Sequence, residues 1–272
     1  MTTTSLHPTP SSATVAAEQF RAVGIAIRKE AYLFLGALAV FAALAISAVV
    51  RAVMSHHDGS GMAISFGPGG AVPIMLVAIL VPFAVWRSED PARRAYHWSM
   101  PVARGPHTLI KLVSGWAWLM MASAVYGLFI VMLATVIPTI ASNPIRLADT
   151  PAWEWLLLFT GPTLAYLITS IAVIASNHAW RWIGGITFGY WILIAFLTIL
   201  EMRDAAATLH SITEGAYGLN AALFASVSEA SRFVGMKPHM RDVSMINWII
   251  AMPLWIIGAG IGVALASYRH SE

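Results

Sequence analysis

Six apolar runs decide what this chain can fold into. They are Ala31–Val53, Ala71–Trp86, Leu109–Pro138, Trp153–Ala175, Trp182–Leu200 and Ile246–Tyr268. A helix needs roughly 20 mostly apolar residues to cross ~30 Å of hydrocarbon. No water is available there for backbone N–H and C=O groups, so runs of this length and composition read as membrane-spanning helices. The second run is short, and Gly67–Ala71 can extend it; the third is long enough to include an interfacial turn. Composition agrees, with 58% hydrophobic and 11% charged residues against about 25% charged in a soluble domain. The expected fold is an all-α integral membrane protein with six transmembrane helices. A flexible tail over residues 1–12 precedes one membrane domain over 13–272.

Charge orients the bundle and narrows the function. With both termini inside, ten of the sixteen Lys and Arg fall in internal segments and six in external ones, four of those six in the single long loop. Short loops carry the orienting signal, so both termini are expected to be cytoplasmic and the protein to be a multi-pass component of the cell membrane, with the lipid bilayer as its solvent. The net charge of +3 reflects this orientation and gives no basis for a nucleic-acid partner. Met1–Pro10 is polar, and no cleavable signal peptide is expected. Without cysteine, disulfide and thiolate chemistry are excluded.

Two segments outside the runs have helical patterning. In Ala13–Glu30, Ala16, Phe20, Val23 and Ile27 recur on one side, away from Glu18, Arg21 and Arg28. This predicts an N-terminal helix lying in the headgroup plane, broken from the first run at Arg28–Glu30. Between the fifth and sixth runs, Leu219, Leu223, Val227, Ala230 and Val234 form a stripe opposed by Asn220, Ser228 and Glu229. An external amphipathic helix is expected there.

The connector between the second and third runs, Arg87–His107, is short, basic, aromatic and punctuated by proline. Asp90 followed by Pro91 is a helix start, since a carboxylate caps the first turn and proline suits its first position. Glu89 adds negative charge at that end. Pro101 stops the helix, because the residue before proline is pushed out of helical geometry. The result is a stiff cytoplasmic helix with Tyr96, Trp98 and Met100 as apolar surface and Arg93, Arg94 and Arg104 as basic surface. An aromatic belt with positive-inside anchors has the same composition.

Glu89, the corner Pro101-Val102-Ala103-Arg104 and Lys111 at the entry to the third run resemble the type-2 ATP-binding-cassette (ABC) permease family. Its members typically place an acid after the second span, a Pro-Val-Ser-Arg-like corner next, and a Lys entering the third span. Ala103 stands where a small hydroxyl is usual, and Arg93-Arg94 replaces a Gly-Thr that commonly follows the acid. The resemblance extends over the whole chain, and implies an elbow helix, six spans and an external helical segment. It also implies that Asp90–Met100 is a coupling helix docking on a separate ATPase subunit, through Glu89, Asp90, Arg93, Arg94, Tyr96, Trp98, Pro101 and Arg104. The partners it implies are an ABC ATPase subunit and a second permease copy or a similar permease. No G-x-x-x-x-G-K-[ST] loop occurs, so no cofactor is expected on this chain; ATP and magnesium belong to the partner.

Other constellations are weaker. His56-His57-Asp58 and Met236–Met240, with His239, have metal-ligand chemistry, but a polar turn explains each more simply. Thr160-Gly161-Pro162-Thr163 interrupts the fourth run, as a kink whose hydroxyls satisfy a freed carbonyl or as part of a substrate path. Gly185/Gly189 and Gly258/Gly262 have the spacing for close helix approach. No Asp, Glu, Lys or Arg stands clearly at the middle of a run, which weighs against a proton-coupled carrier. The function expected is a permease subunit, exporting and without enzymatic activity of its own. The alternatives are a non-transporting membrane anchor and an ATP-independent secondary carrier.

Overall fold

The structure is a computed structural model. It describes residues 12–32, 34–36, 39, 41, 43, 46–47, 64–66, 72–86, 104–140, 145–147, 151–176, 178–229 and 239–269. Helix α1 is Ser12–Lys29, and the described residues between 31 and 47 are helical as well. Strand β1 (Ile64–Phe66), α2 (Val72–Trp86), α3 (Arg104–Ile140) and β2 (Ile145–Leu147) follow. A 3-10 turn over Ala152–Leu156 leads into α4 (Leu157–Ala175), then come α5 (Ala179–Ile199), α6 (Arg203–Glu214) and α7 (Leu219–Phe224). Strands β3 (Ser226–Glu229) and β4 (His239–Asp242) precede the last helix, α8 (Met245–Arg269).

Among the described residues, four helical stretches are long and apolar enough to cross a membrane: His107–Met132, Ala152–Ala175, Ala179–Ile199 and Met245–Tyr268. They correspond to the third to sixth apolar runs. The second run forms α2, whose 15 residues reach only about 22 Å at 1.5 Å per residue. Much of the first run lies outside the described residues. The third run continues as one helix to Ile140, without the interfacial turn its length allowed.

Helix α4 is central, packed against α2 on one side and α8 on the other. Leu158, Leu164, Tyr166 and Ile174 are fully buried, so this helix is apolar on nearly all sides, as a helix enclosed by others must be. Lipid tails are as apolar as leucine, so close backbone approach and hydrogen bonds have to hold such a bundle. At Gly115 on α3, a Cβ would stand 2.5 Å from the Tyr166 hydroxyl, which donates to the Leu112 carbonyl at 2.8 Å. Glycine therefore lets a tyrosine of α4 reach the backbone of α3. The G-x-x-x-G spacings divide: a Cβ at Gly262 would meet Ile171 at 2.6 Å, whereas Gly185, Gly189 and Gly258 face open space. Helix α5 has no buried share along its apolar window.

The described residues are almost all helical, as expected, with two short strand pairs beside the helices: β1 and β2 pair in parallel (Ile64 with Ile145, Phe66 with Leu147), and β3 and β4 pair antiparallel (Ser226 with Asp242, Glu229 with His239). One expectation is corrected. The stripe from Leu219 to Val234 is not one helix. It is helical only to Phe224, because Ala225 turns left-handed at φ 47°, and Val227 lies in β3. Ala230 and Val234 lie outside the described residues. The amphipathic helix of this loop is α6, upstream of the stripe.

Candidate functional site

Of the connector residues, Glu89, Asp90, Arg93, Arg94, Tyr96, Trp98 and Pro101 lie outside the described residues. Arg104 is the first residue of α3. The helix ends at the base of the connector are packed together. Trp86 ends α2 and is buried; Lys111 on α3 is also buried, at 7% exposure, with its ammonium 4.5 Å from the Trp86 ring. A desolvated cation over an indole face is worth about 2 kcal/mol, so this pair ties the two helices where the connector leaves and returns.

Helix α1 is fastened to the same base. Phe20 stacks on Trp118 of α3 with ring centroids 5.1 Å apart, and Trp118 donates from Nε1 to the Phe20 carbonyl at 3.2 Å. Gln19 bonds His107 at 3.0 Å, and Val23 is buried at 2% exposure. Phe83 of α2 stacks on Trp180 at the start of α5, 4.2 Å apart.

Thr160, Pro162 and Thr163 come together on one turn of α4, with Pro162 fully buried. Proline removes the donor to the carbonyl four residues back, here Leu158. The hydroxyls do not replace it. Thr160 donates to the Leu156 carbonyl at 2.9 Å and Thr163 to the Phe159 carbonyl at 2.7 Å, one position to the C-terminal side of the freed group. Thr163 also accepts from Trp116 Nε1 at 3.0 Å, which links α3 to the turn that contains Pro162. At Gly161 a Cβ would stand 2.7 Å from the Leu223 carbonyl, so the absence of a side chain lets α7 lie directly on α4.

The segment from α6 to α7 is a hairpin folded inward. Tyr190 shares a short hydrogen bond with Thr213, and Tyr190 lies about halfway along α5, roughly 14 Å from its Ile199 end. Trp255 donates from Nε1 to the Tyr217 carbonyl at 3.0 Å, and lies roughly 15 Å into α8 from Met245. The return is closed where the Val243 N–H donates to the Ala225 carbonyl at 2.9 Å. Two flanking helices therefore hold the hairpin tip, at Thr213 and Tyr217, beside their own middle turns.

This hairpin carries an ionisable pair that the apolar runs do not reveal. His210 Nε2 is 3.1 Å from Glu214 Oε2, with side chains 27% and 17% exposed. The sequence signal was present as an i, i+4 His–Glu spacing ending at Gly215, but the packing of its helix depends on the contacts of Tyr190 and Trp255 with Thr213 and Tyr217. Among the described residues, no group of three or more His, Cys, Asp or Glu is placed to hold a metal ion. His56, His57 and Met236 lie outside those residues; His239 and Met240 are in β4.

The architecture is that of a helical bundle with, among the described residues, four helices long and apolar enough to cross a membrane. Comparison with protein-family models, curated proteins and solved structures gave no match to this chain.

Proposed function

We infer that the chain is the membrane-spanning permease subunit of an ABC transporter, an exporter driven by a separate ATPase. The observation that carries this reading is the sequence Glu89 to Lys111, with its acid, capped helix start, proline corner and entering lysine. The anchoring of its base supports it. The Lys111–Trp86 contact and the α1–Trp118 contacts make a rigid mount, through which a pull on the connector would reach α2, α3 and α1 together. Such a mount suits rigid-body switching between two packings of the bundle. In this reading both termini are cytoplasmic, ATP and magnesium bind the partner, and the functional unit pairs this chain with a second copy or a similar permease.

Mild-detergent purification with identification of co-purifying subunits tests it. A stoichiometric phosphate-loop ATPase is expected, together with ATP hydrolysis that disappears when that subunit is removed. Recovery of the chain without any ATPase would favour a membrane anchor or an ATP-independent carrier.

A further inference from the structure

Helix α1 turns its apolar stripe to the bundle and its basic residues outward. Phe20 stacks on Trp118 of α3, a Cβ at Gly24 would stand 2.7 Å from the same ring, and Val23 is buried. The helix also packs against α2. The stripe that sequence alone would lay into the headgroup plane is therefore spent on protein contacts, and a second face is left to meet whatever lies outside.

That face carries Glu18, Arg21, Ile25, Arg28 and Lys29, all exposed, at a spacing that keeps them on one side of a helix. Ile25 is 57% exposed, and Tyr32, just past the helix end, is 60% exposed. Glu18 meets Arg21 at 3.4 Å, but both side chains lie in the open, where an ion pair contributes little and leaves the arginine able to exchange partners. Glu30, next in sequence, is only partly exposed. Among the described residues, no acid stands at ion-pair distance from Arg28 or Lys29. The outward face thus combines three cations, one exposed acid and two exposed apolar bodies.

Two contacts put this face beside the end of a crossing helix. His107, which Gln19 bonds at 3.0 Å, opens the stretch His107–Met132, and the chain passes from α1 through Glu30 directly into the first apolar run. Charged heads on long apolar stems, with an aliphatic and an aromatic side chain between them, suit the boundary between headgroups and acyl chains. We propose that the Arg21–Ile25–Arg28–Lys29 face of α1 binds the phosphates of anionic phospholipids in the surrounding bilayer. Arg21 and Arg28 are two turns apart, roughly 10 Å, so each can meet a separate headgroup. Because the opposite side of α1 holds α2 and α3, bound lipid would bear on the bases of both. The proposal holds equally for a transporter, an anchor or a carrier, and does not rest on the permease reading.

The test uses the full chain in mild detergent, labelled with an environment-sensitive dye at A22C, an exposed position on this face of a chain that has no other cysteine. Phosphatidylglycerol is titrated against phosphatidylcholine, which has the same phosphate but no net charge. Phosphatidylglycerol is expected to bind more tightly, and its advantage to shrink as salt rises, because exposed charges are screened. R28Q/K29Q should weaken phosphatidylglycerol binding by about fivefold per cation removed, roughly 25-fold in all. R28K/K29R, which keeps both charges, should bind like the parent, and so should R181Q, which removes an exposed cation from α5. If R28Q/K29Q fails to fold, the comparison of the two lipids on the parent and on R28K/K29R decides. Equal binding of both lipids, unaltered binding by a folded R28Q/K29Q, or an equal loss in R181Q would each overturn the proposal, the last by showing only diffuse positive charge. The same dye response to inorganic phosphate would overturn it too, by showing a site for a soluble anion.

Discussion

Substituting Gly161 with alanine should separate the hairpin from α4. The added Cβ would meet Met75 Cε at 2.4 Å and the Leu223 carbonyl oxygen at 2.7 Å, whereas ordinary contact begins at 3.4 Å. The methionine end can rotate away. The carbonyl belongs to the backbone of α7, so the whole short helix must retreat by several tenths of an ångström. Overpacking of this kind costs about 1–3 kcal/mol, and the same change in an unobstructed helix gains about 0.5–1 kcal/mol from the lost flexibility of glycine. Gly185 on α5, with nothing within 4 Å of its Cβ position, supplies the internal control. G185A should be neutral to slightly stabilising, with G161A about 1–3 kcal/mol below it. Titration of each purified variant with SDS in mixed micelles, followed by circular dichroism, measures the gap. A gap below about 0.5 kcal/mol, the scatter of uninvolved surface changes, would refute the claim that α7 rests on Gly161.

Tyr166→Phe removes the hydrogen bond to the Leu112 carbonyl without changing packing and should lower stability by about 1 kcal/mol in the same titration. Single cysteines at Ser5 and Ser226 of this cysteine-free chain should differ in intact cells: an impermeant thiol reagent labels position 226 and leaves position 5 unlabelled. On the permease reading, replacing Glu89 with Lys, or Tyr96 and Trp98 with Ala, should weaken association with the proposed ATPase subunit while leaving the bundle inserted. Loss of a buried aromatic anchor commonly costs about 2 kcal/mol, roughly thirty-fold in affinity, read from co-purification at matched expression.

The long helices were legible because hydrocarbon leaves the backbone few choices. Trp153–Ala175 and Ile246–Tyr268 as read from sequence differ by a residue or so from the crossing stretches Ala152–Ala175 and Met245–Tyr268. What a single run cannot encode is how its neighbours stop it. The stripe from Leu219 looked continuous because its spacing is helical through Val234; nothing local announces that Ala225 turns left-handed to bring its carbonyl to Val243. The three-residue strands β1 and β2 carry too little pattern to stand out, and their pairing joins loops far apart in sequence. The His210–Glu214 pair was hidden for a different reason. Residues between two apolar runs read as a free loop, and only the contacts of Tyr190 and Trp255 show that this segment packs back against α5 and α8.

The parallel pairing of β1 with β2 has a consequence for how the protein is made. Strand β1 emerges before α2, and its partner β2 follows only after the whole of α3. During synthesis the backbone donors and acceptors that β1 will give to β2 must therefore wait, unpaired by their final partner, until two further helices have been laid down. An unpaired strand edge invites other chains to add to it. The β1 edge is thus without its final partner between the translation of Phe66 and that of Leu147, and completion of β2 closes that interval by joining the segments that flank α2 and α3.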